Sequence, residues 1–317
     1  ETDFTVTIMP GFDGNDNIKV WDGKSTDIPV IDDVAKTVTI VTGNQLAWLA
    51  AYVNGTLNAN TRSASNEVSL DKSYTIVLDE NIDLGGEEWT PIGYGKHFEF
   101  SFDGKGHTIS NFKITKKEGE KNNAAALFGS IAGTTTLKDF TVKDAQVIYP
   151  GKEIEDFYGA AIVGTVYGSH TFENIYVTNS TIQGNNKVAG LIAHDGSSSK
   201  IEINNCHVSG CTIETKNEED GGNVAGMVGY IQTKNVVISN SSVKNCVINA
   251  INSSDTGKRA NSQFVGAIKG DGNLTIANCV VENNTYNESG LETYQTPYDG
   301  IFVGGAREEA TAIVVIN

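Results

Sequence analysis

Basic charge is in short supply. The chain has 23 lysines and arginines against 39 aspartates and glutamates, a formal net charge of −16 over 317 residues. Such a surface repels a polyphosphate, so nucleic acid is a poor partner. No run approaches 18 consecutive apolar residues, and no segment reads as a membrane-spanning helix. The four cysteines, Cys206, Cys211, Cys246 and Cys279, are confined to the last third. They show neither Cys-x-x-Cys spacing nor a paired histidine, so a zinc site is not expected. A phosphate-binding Gly-Lys-Ser/Thr loop is also missing, as is a nucleophile–base–orienter spacing around His97, His107, His170, His194 and His207. Methionine (two) and proline (five) are rare. What fills the chain is glycine (34 residues), asparagine and β-branched side chains, with 39% hydrophobic residues. That suffices for a core and leans all-β.

A repeat then dominates the sequence. Ile109-Ser-Asn111-Phe112, Leu137-Lys-Asp139-Phe140, Phe172-Glu-Asn174-Ile175, Ile203-Asn-Asn205-Cys206, Ile238-Ser-Asn240-Ser241 and Ile276-Ala-Asn278-Cys279 all read apolar-x-Asn/Asp-apolar or small. Their Asn/Asp positions step by 28, 35, 31, 35 and 38 residues. A second column runs Ala126–Gly129, Ala161–Gly164, Gly190–Ala193, Gly226–Gly229, Gly266–Lys269 and Gly304–Ala306, with Ala193 and Lys269 in place of a closing glycine. A third short strand carries Val142/Ala145, Val177/Ser180, Val208/Cys211, Val243/Cys246 and Val281/Asn284. Three short strands per repeat are what one turn of a three-sided parallel β-helix needs.

The expected fold is therefore all-β: a right-handed parallel β-helix whose rungs stack about 4.8 Å apart. Stacking brings like residues together. The Asn column is expected to point inward at a bend and to bond along the stack as an amide ladder. Val142, Val177, Val208, Val243 and Val281 should face the core, and Lys143, Thr178, Ser209, Lys244 and Glu282 should face water. Leu127, Ile162, Ile192 and Val228 should form another aligned set. Cys206 and Cys279 join a core column with Phe112, Phe140, Ile175 and Ser241. Cys211 and Cys246 fall on consecutive rungs about 5 Å apart, where buried thiols are favoured over a disulfide.

Upstream, Thr42-Gly-Asn-Gln45 reads as a capping box, Leu46, Leu49 and Val53 follow at helical spacing, and Gly55 sits at the stop. An amphipathic helix over about 43–54 is expected to cap the first rung. Residues 1–35 read as an extended segment or the tail of a preceding module, and 36–317 as the β-helix, with repeats over about 106–317.

Asp83-Leu-Gly-Gly-Glu-Glu-Trp89-Thr-Pro-Ile-Gly93 and Phe102-Asp-Gly-Lys-Gly-His-Thr-Ile109, together with Gly226-Met-Val-Gly229 and the Asn-Cys repeats, resemble the GLUG-repeat β-helix proteins. Those are surface proteins of gut Bacteroidetes, described as adhesins, and they also flank IgA-cleaving metalloproteases of streptococci. The resemblance spans roughly residues 18–317. It implies a secreted or surface-displayed protein that binds host or dietary glycans, or a surface protein. A His-Glu-x-x-His motif is missing, so a protease activity is not implied for this chain.

Other parallel β-helices cleave polysaccharides, which keeps a lyase or hydrolase open as the alternative. Asp144 and Asp139 each stand in a column of neutral residues, however, and neither makes a carboxylate pair. Glu153, Glu155, Asp156, Glu218, Glu219 and Asp220 leave the rungs at one point and could gather around Ca²⁺. Interleaved lysines make a solvated loop edge the plainer reading. Tyrosines Tyr149, Tyr158, Tyr167, Tyr176 and Tyr230 cluster in the middle rungs, and Tyr286, Tyr294 and Tyr298 near the end. Tyr149, Tyr158, Tyr294 and Tyr298 are the candidate glycan contacts, since a ring in a loop need not be buried.

Overall fold

The structure, a computed structural model, describes residues 20–57, 68–115, 124–149, 151, 156–216, 222–233, 235–251, 260–269, 273–289, 301–306 and 313–316. It is a parallel β-solenoid of about six turns with a single helix among the described residues. Its strands join three hydrogen-bonded sheets of 19, six and four strands.

The rungs hold register because one residue type returns at each level. Val38, Ile76, Phe102, Leu137, Phe172, Ile203, Ile238 and Ile276 pair in a continuous column on the long sheet. All eight are buried. Around the next corner Ile82, Ile109, Val142, Val177, Val208, Val243 and Val281 make a second column. The first six are buried, and Val281 packs on the core from the last rung. Lys143, Thr178, Ser209 and Lys244 are half-buried and Glu282 exposed, as residues on the outer face of a period-two strand should be.

The corners explain the asparagines. Asp139, Asn174, Asn205, Asn240 and Asn278 all have φ between 51° and 58°. So do Asn111, Asp144, Asn179, Asn245 and Asn283, and Gly210 stands in that same column at φ 64°. This left-handed conformation suits glycine, Asn and Asp, whose short polar side chains tolerate it best. The side chains therefore lie at the corner, half-buried or exposed, rather than inward as expected. The ladder exists outside the core: Asn174 Nδ2 donates to Asp139 Oδ1 at 2.7 Å, and Asn205 Nδ2 to Asn174 Oδ1 at 2.8 Å.

Three alignments shift. Ile109 pairs with Val142, so Asn111 belongs to the second corner with Asp144 and Phe112 lies level with Ala145, outside the Phe140–Cys206 column. Ile192 and Val228 stack on Phe128 and Val163, not on Leu127 and Ile162. The chain bends there, alternation lapses, and Leu127 and Phe128 both enter the core. Val228 pairs with Val265 and Val265 with Val303, so the closing glycines are Gly266 and Gly304, and Lys269 is not one of the set. A Cβ at Gly266 would run into the Gly229 carbonyl, which fixes glycine at that level.

Helix α1 spans Gly43–Asn54. Thr42 Oγ1 accepts from Gln45 N at 3.3 Å, and Gly55 (φ 71°) returns its N–H to Ala51 and Tyr52. Leu46, Trp48, Leu49 and Val53 are buried, but so are Ala47 and Ala50, making the apolar face wider than the expected stripe. Asn54 ties the helix end to the first rungs, donating to Pro91 O at 3.0 Å and accepting from Gly93 N and Tyr94 N at 2.9 and 2.8 Å. Strand β1 (Val30–Asp32) pairs antiparallel with β2 (Thr37–Ile40), the one antiparallel pairing among the described residues.

Candidate binding face

Residues preceding the inward members of the second column lie on the outer side of the strand, although Ser242 is buried there. Thr108, Thr141, Tyr176, His207 and Ser242 thus form one outward column. At its centre the Tyr176 and His207 rings lie 5.1 Å apart with 31° between their planes, and Tyr176 is 37% exposed. The His207 ring is held at both nitrogens, Nδ1 to Ser242 Oγ and Nε2 to Asn205 Oδ1, each 2.8 Å. Because Asn205 Nδ2 already donates to Asn174, its Oδ1 is the acceptor. His207 therefore carries its proton on Nε2 and accepts the Ser242 hydroxyl on Nδ1. Burial and then the Lys244 charge push its pKa below the ordinary value, which keeps the ring neutral. The corner ladder thus runs Asp139–Asn174–Asn205 and ends on the imidazole that supports Tyr176.

The lysines around the two rings are each paired with a carboxylate. Lys138 bridges Asp103 and Asp139 at 3.1 and 3.0 Å, Lys143 lies 3.5 Å from Asp144, Lys200 2.6 Å from Glu202, and Lys244 3.0 Å from Glu282. These pairs are largely solvent-facing and contribute little stability.

A second group occupies the corner between the small third sheet and the long sheet. Tyr158, Lys187 and Asn223 stack on successive rungs, and Thr165, His194 and Tyr230 stack opposite. Lys187 Nζ lies 4.5 Å from the Tyr158 ring centroid and 5.2 Å from that of Tyr230. The His194 ring lies 4.7 Å from Tyr158 and 5.6 Å from Tyr230. A third pair, Tyr167 and His97, meets edge-on at 5.3 Å, with His97 Nδ1 2.8 Å from Ser130 Oγ.

Of the expected site residues, Tyr158 is half-buried in this second group. Tyr149 is not an open ring. It is buried, edge-on to Phe157 at 5.6 Å, with its hydroxyl accepting from Asn185 Nδ2 at 3.2 Å. The reason is position: it stands two residues after buried Val147, on the inward phase of a period-two strand. Asp156 sits at φ 54°, its carboxylate accepting from Asn186 Nδ2. Tyr294, Tyr298, Glu153, Glu155, Glu218, Glu219 and Asp220 lie outside the described residues. Among the described residues no group of three or more His, Cys, Asp or Glu is placed to hold a metal. Lys187, His194 and Tyr230 were not singled out by sequence as a group, because they come from two different strands of one rung and from the rung after it. Tyr176 and His207 were legible: each stands one residue before a valine of the repeat.

All four cysteines are free thiols. Cys206 is pushed up to about 12 by burial, and Cys211 is pushed up by its contact with the Cys246 thiol and by burial. They behave as small core residues.

These features define a parallel β-solenoid with ring-bearing outer faces. No protein-family model matches the chain. Over 155 residues, 47% of the chain, it is 32% identical to halomucin of Haloquadratum walsbyi, and it spans about 2% of that relative's length. Among solved structures it is similar to a protein of Bacteroides ovatus described as a "putative immunoglobulin A1 protease". The TM-score is 0.55 at 17% identity, over 89% of this chain and 77% of the other. That likeness concerns the fold.

Proposed function

We propose that this chain is a non-enzymatic binding module of a secreted or cell-surface protein, of the GLUG-repeat adhesin kind, and that it recognises glycans. The observation that carries this reading is the Tyr176–His207 pair: two adjacent rings, one of them exposed, on a sheet face with hydroxyls of Thr141, Thr178 and Ser209 around them. An exposed ring offers a pyranose its apolar face, and the surrounding hydroxyls meet the sugar's own. The ladder ending on His207 holds that ring in place before a ligand arrives, which lowers the ordering cost of binding. The similarity to halomucin, a mucin by its name, over part of the chain is in keeping with a surface module. Calcium at the loop acids Glu153, Glu155, Asp156, Glu218, Glu219 and Asp220 is a secondary proposal. It would appear as a rise in melting temperature on adding calcium that a chelator reverses.

The test is a glycan array probed with the intact chain, paired with a depolymerisation assay on every glycan bound. Binding without fragment release, weakened at least about ten-fold by Tyr176→Ala, is the expected result. Released fragments would replace this reading with that of a polysaccharide-cleaving enzyme. Binding to a surface protein but no glycan would replace the ligand class.

A further inference from the structure

Tyr176 and His207 cannot lie side by side in one plane. Edge atoms of neighbouring rings keep about 3.5–4 Å between them, which sets coplanar centroids roughly 6 Å or more apart. At 5.1 Å and 31° the pair is an offset stack, so His207 covers one face of the Tyr176 ring. The other face looks along the rod toward the preceding rung, about 4.8 Å away. Tyr176 is nonetheless 37% exposed, so that second face is where a ligand can reach it.

The preceding rung places Thr141 level with Tyr176, and the rung before that places Thr108 level with Thr141. Both threonines point outward and are half-buried. A tyrosine ring stands well above a threonine side chain, so the column drops in a step beneath the free face of Tyr176. The wall of the step is an aromatic ring, and its floor carries two hydroxyls and two methyl groups. A pyranose stacked on the wall at carbon contact distance would occupy the level of Thr141. Lys138 and Lys143, which flank Thr141 in the same strand, are held by Asp103, Asp139 and Asp144, which leaves the step to a neutral sugar.

We infer that the step seats one ring of a neutral β-1,4-linked hexose chain, stacked on the free face of Tyr176 and standing edge-on over Thr141, with the chain running along the strand. This rests on the glycan-binding reading and names the linkage and the pose. Both bonds of an equatorial 1,4 linkage leave in the plane of the sugar ring, so the neighbouring sugars pass the tyrosine on either side. An axial bond would turn the next sugar into the Tyr176 wall or away from it across Thr108. Thr141 is then the residue that sets specificity, because its small size makes the step.

The probe is cellohexaose, titrated into the intact chain beside maltohexaose, which differs from it in linkage alone. Cellohexaose should bind at least about ten-fold more tightly. Its axial ring protons should show nuclear Overhauser contacts to the Tyr176 ring and the Thr141 methyl, and none to His207. Thr141→Tyr fills the step with a residue that the same column already carries at the next rung, and it should abolish binding. Val280→Tyr, two rungs past His207 in that column, should leave affinity within about two-fold of wild type. A sugar lying across the outer edges of both rings would respond in the opposite sense, since a third ring at position 141 would extend its platform and tighten binding. Such tightening, equal affinity for the two hexaoses, contacts to His207 as strong as those to Tyr176, or no binding of cellohexaose would overturn the inference. The wild-type titration and its contacts decide the matter even where a variant fails to fold. Other glycans captured through Tyr176 while cellohexaose is not would sink this step and leave the proposed function standing; no glycan captured at all would sink both.

Discussion

The first rungs and the last fill the same cross-section with different side chains. Up to about residue 140 the core is built from rings. Trp21 and Trp89 meet edge-on at 5.5 Å, Phe98 and Phe128 lie 4.9 Å apart, and Phe102 touches both Phe128 (5.3 Å) and Phe140 (5.1 Å). Further on, one column narrows from Phe140 to Ile175, Cys206 and Ser241, and another from Phe112 through Ala145 and Ser180 to Cys211 and Cys246. Buried Ser241 keeps its hydroxyl satisfied, donating to Ser239 O at 2.7 Å and accepting from Cys206 N at 3.0 Å. Volume lost on that side returns on another, where the level of Leu191 and Met227 widens to Phe264, 5.5 Å from Phe302. A close-packed core has to balance in this way. In a solenoid each rung contacts only its neighbours, so stability sums along the rod, and the ring-rich end buries more apolar surface per rung. The last rungs, where Val280 and Ile316 are exposed, should open first.

The largest effect expected is from removing the helix. Deleting residues 43–54 withdraws Leu46, Trp48, Leu49 and Val53 from the core and strips Asn54 from the turn at 91–94. It should expose the ring-rich end and cause aggregation; a soluble, monomeric deletion with unchanged melting would refute this. Next comes Val177→Asp, which buries an unpartnered carboxylate in a middle rung and should cost several kcal/mol. The same change at half-buried Val281 should cost far less, and equal losses on chemical denaturation would erase the difference between middle and end. Phe102→Ala should follow, at about 3–5 kcal/mol, because two rings, Phe128 and Phe140, lose a partner at once.

How far the sequence reached depends on the element. Inward valines and outward polar residues were legible because a β-strand has period two and the repeat supplied five copies to compare. The left-handed corners were legible in principle from Gly210, a glycine in an otherwise Asn/Asp column, but not from any one copy. The first copy was misplaced by a whole strand. Its step of 28 residues from Asn111 to Asp139 breaks the series, whereas Asn111 to Asp144 gives 33, beside 35, 31, 35 and 38 for the later steps of that same corner. Ile109 sits before an asparagine in both corner motifs, and local pattern alone could not separate them. The Lys187 corner was out of reach, since a contact between Tyr158, Lys187 and Tyr230 depends on the bend between two sheets and not on any spacing.

Acid should reverse the order of opening. His170, His194 and His207 lie in the middle rungs, and burial lowers the pKa of each, that of His194 to about 3. A folded-state pKa below the unfolded value near 6.5 means that the unfolded chain takes up protons first. The stability these residues contribute is thus complete above about pH 6.5 and is lost as pH falls toward the folded values. Melting temperature should drop between about pH 6.5 and 4.5, before the carboxylates titrate, and His170→Gln should flatten part of that slope. Amide exchange at lower pH should show the middle rungs losing protection relative to the ends. A flat profile across that interval would remove the histidines from the comparison.

The smallest expected effect tests the corners themselves. Asn179 holds φ 52° in a middle rung, and Asn283 holds φ 54° in the last one. Alanine adopts that conformation at a cost of roughly 1–2 kcal/mol, whereas glycine adopts it freely and costs only the extra entropy of its unfolded chain. Asn179→Ala should therefore lower global stability by about 1 kcal/mol, and Asn179→Gly should stay within about 0.5 kcal/mol of wild type. Gly210, the next residue in this column, already shows that the position accepts glycine, and a Cβ there would meet Asn179 Oδ1. Asn283→Ala carries the same local strain, but a rung that opens before the rest unfolds passes little of it to the global transition, so it should show in amide exchange of the last rung alone. If Asn179→Gly were as damaging as Asn179→Ala, side-chain bonding rather than backbone conformation would govern the column, and if Asn283→Ala matched Asn179→Ala in the global transition, the last rung would be as firmly held as the middle.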